Sequence, residues 1–190
     1  MNRHFFSLLA CTLLAACATT PPEKLPARDE MRDFALEARF ALRISQPGKA
    51  PENSGGRLAW QHRHGDNRIL IANPLGIGIA EIDTGPDSSS LRTGDGQTRE
   101  STDPDALMEE ITGQRLPIRQ LPDWLLGRAS PPARLEKDGL GRPARLAEAG
   151  WLVEYVYADA APDALPELVT LSRNGEIELR LRIEEWRLAP

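Results

Sequence analysis

The residues best equipped for chemistry in this 190-residue chain are His62, His64 and Asp66, in the run HRHGD. On an extended strand these three positions share a face, so two imidazoles and a carboxylate would be placed to hold a divalent metal. No further ligand accompanies them at an obvious spacing, and a solvated strand end is the simpler reading. The carboxylates of Glu109-Glu110 and Glu184-Glu185 are neighbours in sequence, so one member of each pair can face water. Nothing marks either as an acid–base couple, and both read as surface charge. There is no G-x-S-x-G elbow, no P-loop and no thiol placed to act as a nucleophile. Gly94-Asp95-Gly96 and Gly139-Leu140-Gly141 are turn sequences. Neither catalysis nor a metal nor a cofactor is expected.

What the chain does carry is apolar surface, beginning at its amino terminus. Arg3 precedes an uncharged run from Phe5 to Leu14, too short to span a bilayer as a helix, which reads as a signal-peptide core in residues 1–16. The run ends in Leu14-Ala15-Ala16-Cys17, which resembles the lipobox of bacterial lipoproteins, with the Cys17 thiol as acceptor for diacylglycerol. Cys11 is a poorer candidate, because cleavage there leaves a shorter core and a bulky Leu9 two positions before it. Cleavage before Cys17 leaves it the only cysteine, so no disulfide is available and stability must come from a core. A chain of this length can build one. The cleaved segment takes Arg3 from the 23 basic residues and none of the 28 acidic ones, so the mature chain is acidic. With no basic block, nucleic acid and anionic-lipid headgroups are poor partners. Residue 18 is Ala, which by resemblance to lipoprotein sorting in Gram-negative bacteria directs the chain to the outer membrane.

The elements that would position these residues follow from periodicity. Residues 17–33 read as the lipidated cysteine and a proline-rich tether, and 34–190 as one domain. Phe34, Leu36, Phe40, Leu42 and Ile44 alternate with Glu37, Arg39 and Arg43, the pattern of a half-buried strand. Further alternating or apolar runs surround Leu58, Ile69, Ile77–Ile82, Ser89, Gln97, Arg134, Arg145, Trp151 and Val169. Two short helical pieces interrupt them. The first is capped by Asp103 with Pro104 at its first position and carries Leu107, Met108 and Ile111. The second carries Leu121, Trp124 and Leu125. In ELVTLSRNGEIELRLRI, face matching favours a three-residue loop at Arg173–Gly175, with Leu171 opposite Ile177. A bulge is expected at Glu184-Glu185-Trp186. The sum is an unclosed, strongly curved antiparallel sheet of about ten to eleven strands with a small helical lid over its apolar face.

One position breaks the usual rule for turns. Asn73-Pro74-Leu75-Gly76 has Asn, Pro and Gly where a type I turn favours them, but Leu75 stands at the tip, where polar residues are usual.

The succession FALEARFAL, GRLAWQ, ILIANPLGIGIAEI, DALMEEITGQRLPIRQLPDWLLG, GWLVEYVY and LPELVTLSRNGEIELRLRIEEW resembles the outer-membrane lipoprotein receptors of the LolB family, over about residues 34 to 187. The resemblance implies a half-barrel with a hydrophobic concave face under a lid. It implies a monomeric receptor that accepts triacylated lipoproteins from the periplasmic carrier LolA and inserts them into the outer membrane, itself held there by acylated Cys17. On the matching motif, Leu75 would deliver lipid into the membrane. Strand phase then assigns the cavity lining to Phe40, Leu42, Leu58, Trp60, Ile71, Ile79, Trp151, Val153, Leu179 and Leu181. The lid's underside falls to Leu107, Met108, Ile111, Trp124 and Leu125. The competing reading is a structural lipoprotein that scaffolds another envelope assembly.

Overall fold

Alternation sets the strands, and their order sets the cavity. The computed structural model describes residues 25–190; the signal segment, Cys17 and the tether up to residue 24 lie outside the described residues. Six hairpin-linked strands come first: β1 (Phe34–Ile44), β2 (Glu52–Arg63), β3 (Asp66–Ala72), β4 (Gly78–Thr84), β5 (Ser89–Thr93) and β6 (Thr98–Ser101). Two helices come next, α1 (Pro104–Thr112) and α2 (Leu121–Leu125). The chain then returns through β7 (Arg134–Lys137), β8 (Pro143–Glu148), β9 (Trp151–Val156), β10 (Leu168–Arg173) and β11 (Ile177–Arg187).

All eleven strands form one antiparallel sheet in the order β6-β5-β4-β3-β2-β1-β11-β10-β9-β8-β7. First and last strands therefore meet at its centre, and the helices join its two outer edges, β6 and β7. The sheet is not closed into a barrel. The helices span the gap because the chain must cross from one edge to the other there. Their amphipathic faces then have only the concave side of the sheet to lie on.

That concave side is apolar. Leu36 of β1 pairs with Trp60, Trp60 with Ile69, and Ile69 with Ile82, so one face is carried across four strands. Trp60 Nε1 donates to Asn67 Oδ1 at 3.0 Å, and Asn67 donates to Thr84 Oγ1 at 3.0 Å, so the buried polar atoms here are satisfied. The convex side carries charge, with Arg39 paired to Glu184 at 2.6 Å and Arg187 to Glu37 at 2.7 Å. Exposed pairs of this kind contribute little to stability, but they keep the outer face polar. Met31 is fully buried, so part of the stretch ahead of β1 packs into the core.

Two register details differ in outcome. The bulge near Trp186 is present: Glu37 faces Glu185 while Ala38 faces Ile183, leaving Glu184 as the extra residue. Trp186 then packs edge-on to Phe34 with ring centres 5.4 Å apart. The β10–β11 loop is three residues long, as face matching requires, but it spans Asn174–Glu176 and not Arg173–Gly175. Asn174 and Gly175 both take left-handed backbone (φ 53° and 70°) and close a turn through Glu176 N–H to Arg173 O at 3.0 Å. Leu171 consequently faces Leu179, not Ile177. The shift is by two, so every side chain keeps its face.

Candidate functional site: an apolar cavity and an exposed hairpin tip

The concave face is not filled along its whole length. Between the sheet and α1 lies a cavity of about 330 Å³. Phe40, Leu42 and Ile44 of β1, Leu58 and Trp60 of β2, Ile69 and Ile71 of β3, Ile79 of β4, and Leu179 and Leu181 of β11 line its sheet side. Met108, Ile111 and Thr112 of α1 close it from above, with Leu116, Ile118 and Leu121 from the following segment. Glu52, Asn53 and Ser54 stand at its polar mouth. Register explains the convergence: Phe40 faces Leu181, Leu42 faces Leu179, and Leu58 faces Ile71.

Eight of the ten lining residues assigned by strand phase are therefore brought together, and Trp151 and Val153 are not. Val153 is fully buried, between Leu146 and Leu171 on the neighbouring strands. Trp151 packs against Trp124 at 6.4 Å between ring centres, with the Arg173 guanidinium over its ring. The reason is α2, which sits on this half of the sheet and fills it. Trp124 Nε1 donates to Glu148 Oε2 at 2.9 Å, and the Tyr155 hydroxyl donates to Trp124 O at 2.6 Å. Burial in that contact pushes the Tyr155 phenol well above its ordinary pKa. Trp124 and Leu125 thus belong to the core of the β8–β10 half, and Leu107 is buried outside the cavity. Of the five lid residues, only Met108 and Ile111 face the space. Strand phase shows which face is apolar; it cannot show which half of that face a helix covers.

The cavity also uses residues that were not assigned to it. Ile44 and Ile69 share the face of Phe40 and Trp60, so their phase was available as a signal. Leu116 and Ile118 lie in an irregular stretch with no period to read. Asp105 organises that stretch, accepting from Ile118 N–H at 3.0 Å, and its own burial raises its carboxyl above the ordinary range. α1 itself is capped as its sequence requires, with Asp103 accepting from Asp105 and Ala106 N–H.

Along β3 the chain runs to a tip. Gly76 N–H donates to Asn73 O at 2.9 Å, closing the turn, while Asn73 Oδ1 accepts from Leu75 and Ile77 N–H. The Asn73 side chain thereby holds the turn's shape, and apolar side chains are what the tip presents. Leu75 is 86% exposed and Ile77 63%. The residues of HRHGD, in contrast, do not share a face. His64 (φ 52°) and Gly65 form the β2–β3 turn, so Asp66 returns on the next strand. His62 Nδ1 lies 2.8 Å from Asn67 Oδ1, and His64 N–H donates to Asp33.

An open antiparallel half-barrel, an apolar cavity under a helix, and an exposed apolar hairpin tip together define the class of fold. Residues 32–186 match the family of the outer membrane lipoprotein LolB, and the chain belongs to that family. It is 55% identical to the outer-membrane lipoprotein LolB of Dechloromonas aromatica (strain RCB), over the full length of both chains. It is 34% identical to the LolB of Azoarcus sp. (strain BH72), covering 98% of this chain and 97% of that one. Among solved structures, a LolA-superfamily protein of Nitrosomonas europaea superposes with a TM-score of 0.49 at 12% identity, covering 82% of this chain and 86% of that one. Family membership gives the chain a place in lipoprotein localisation at the outer membrane of a Gram-negative bacterium. No described helix is long and apolar enough to cross a membrane.

Proposed function

We propose that this chain is a non-catalytic receptor. It takes triacylated lipoproteins from the periplasmic carrier LolA and shelters their acyl chains on its concave face. It then releases them into the inner leaflet of the outer membrane. It acts as a monomer, held at the membrane by lipid on Cys17. The observation that carries this reading is an apolar cavity in the same β1–β4 half of the sheet as an exposed apolar tip.

The energetics favour transfer without chemistry. Exposing an acyl chain costs about 0.8 kcal/mol per CH₂, so three chains of roughly fifteen carbons represent ~35 kcal/mol in water. Such cargo moves between apolar surfaces, and its direction is set by differential affinity, with the bilayer as the final sink. No catalytic group is needed. The size of the cavity bears on this reading. At about 330 Å³ it is at the lower end of what one drug-sized ligand occupies, ~300–1,000 Å³. Three acyl chains therefore require α1 to lift from the sheet. α2 stays, because its tryptophan and backbone are hydrogen-bonded to β8 and β9.

The test mixes the domain from Ala18 to Pro190 with a carrier–lipoprotein complex and follows the acylated cargo by pull-down. Cargo should move onto the domain. Cargo that stays on the carrier, with the domain shown folded, removes the receptor reading and favours the envelope scaffold.

A further inference from the structure

A second pocket, unrelated to the apolar cavity, lies between the segment ahead of β1, the residues after α2, and strands β7 and β8. It has a volume of about 440 Å³ and brings together Arg28, Arg32, Arg128 and Lys137, with Asp29 and Asp123 as its acidic residues. In a chain of net charge −5, this is a local island of positive charge.

The cations are only partly compensated. Arg28 pairs with Asp29 at 2.9 Å, and Arg128 reaches Asp123 at 4.0 Å. Arg32 donates only to backbone oxygens, and neither Arg32 nor Lys137 has a carboxylate partner among the described residues. Arg28 is only 7% exposed and is fixed in place by donating to Leu126 O at 3.1 Å; its Nε, enclosed by the protein, has no hydrogen-bond partner among the described residues. Burial first, and then the neighbouring Arg32 charge, hold the Arg128 guanidinium below its ordinary pKa, with Asp123 and Asp29 opposing. Arg128 itself is braced by donating to the backbone oxygens of Arg28, Asp29 and Met31, so the site is built into the fold.

Three guanidiniums and an ammonium around one space suit an oxyanion, because the guanidinium fork matches phosphate geometry. We infer that this pocket binds the phosphate of a phospholipid headgroup. Its place in the fold selects that source over a free ion. Arg28 is eleven residues after Cys17, and the eight peptide steps from Cys17 to Leu25 extend at most ~28 Å. The tether thus ties the end of the sheet where β1 begins to within that reach of the lipidated cysteine. The Leu75 tip points the other way, since β3 runs parallel to β1 and the tip follows its far end. β1 alone, at eleven residues, is ~37 Å long. A headgroup contact at the anchored end and an apolar contact at the tip together lay the strands along the membrane instead of standing them on it. The inference uses the anchor at Cys17 but not the transfer of cargo.

The test uses the mature acylated chain in neutral detergent micelles. Glycerophosphoglycerol, a phosphodiester headgroup without acyl chains, and inorganic phosphate are titrated separately by calorimetry. Arg32→Glu and Lys137→Glu serve as variants, both at exposed side chains, with melting temperatures checked against the parent. Saturable headgroup binding, weakened at least tenfold in each folded variant, is the expected result. Absence of headgroup binding, or binding equal in parent and variants, overturns the site. Binding of inorganic phosphate alone overturns the assignment to lipid.

Discussion

Replacing Leu75 by Glu separates folding from delivery more cleanly than any other change in this protein. Complete burial of a leucine contributes ~1.5–3 kcal/mol, and this one is 86% exposed, so the fold owes it only ~0.2–0.4 kcal/mol. The turn is held by Asn73 and by backbone groups, none of which the substitution touches. Unfolding in urea should therefore shift by less than ~0.5 kcal/mol. At the membrane the same change removes up to ~1.5–3 kcal/mol of apolar burial and adds the cost of desolvating a carboxylate. A net loss of ~2–3 kcal/mol corresponds to ~30- to 150-fold slower delivery. The assay loads the acylated cargo from the carrier, separates liposomes by flotation, and measures cargo both on the receptor and in the lipid. Cargo should accumulate on the receptor and fail to enter the liposomes. Wild-type rates of insertion, or loss of cargo acceptance along with insertion, would refute the assignment of the tip to membrane entry.

Ile111→Trp, on the cavity side of α1, should narrow the space and weaken displacement binding of a fluorescent fatty acid several-fold while the far-UV spectrum stays unchanged. Trp60→Phe removes one of the two ring nitrogens at the Asn67 amide oxygen, leaving His62, and should lower unfolding free energy by about 0.5–1.5 kcal/mol in a urea titration. Gly127→Ala places a Cβ 2.2 Å from Pro143 Cγ at a φ of +67°, so a loss of more than about 2 kcal/mol is expected, visible as a lowered Tm. Burial pushes the Tyr157 phenol up to about 12. A group whose folded pKa is raised stabilises the fold fully below its unfolded value, near 10, and that contribution is lost as pH rises to about 12. Chemical denaturation across that window should show stability falling with pH, and Tyr157→Phe should flatten the slope.

Much of this protein is written locally. Period-two alternation specifies β1, because Phe34, Leu36, Phe40 and Leu42 can share a face only on an extended strand. Asp103-Pro104 and Gly113 delimit α1 through groups within a few residues of one another, and the Asn73 turn is closed by its own side chain. The bulge at Glu184 is legible for the same reason: the apolar phase slips there, and only an extra residue restores it. Even the misplaced β10–β11 loop kept the correct faces, since parity survives a shift of two.

Local pattern therefore specifies the set of elements, their apolar faces and the leucine at a turn tip. How that apolar face is divided follows from long-range packing alone. Trp151 and Val153 carry the same phase as Trp60 and Leu58, yet α2 covers the first pair and leaves the second open to the cavity. The choice depends on Trp124 reaching Glu148 and on Tyr155 reaching the α2 backbone, contacts 24 and 31 residues apart in the chain. The basic pocket has the same origin. Arg28, Arg128 and Lys137 are unremarkable in sequence, and they become one site only because the segment ahead of β1 packs against the residues after α2, beside β7. Local periodicity fixes which way a side chain points; which distant residue it then meets depends on how the sheet closes around it.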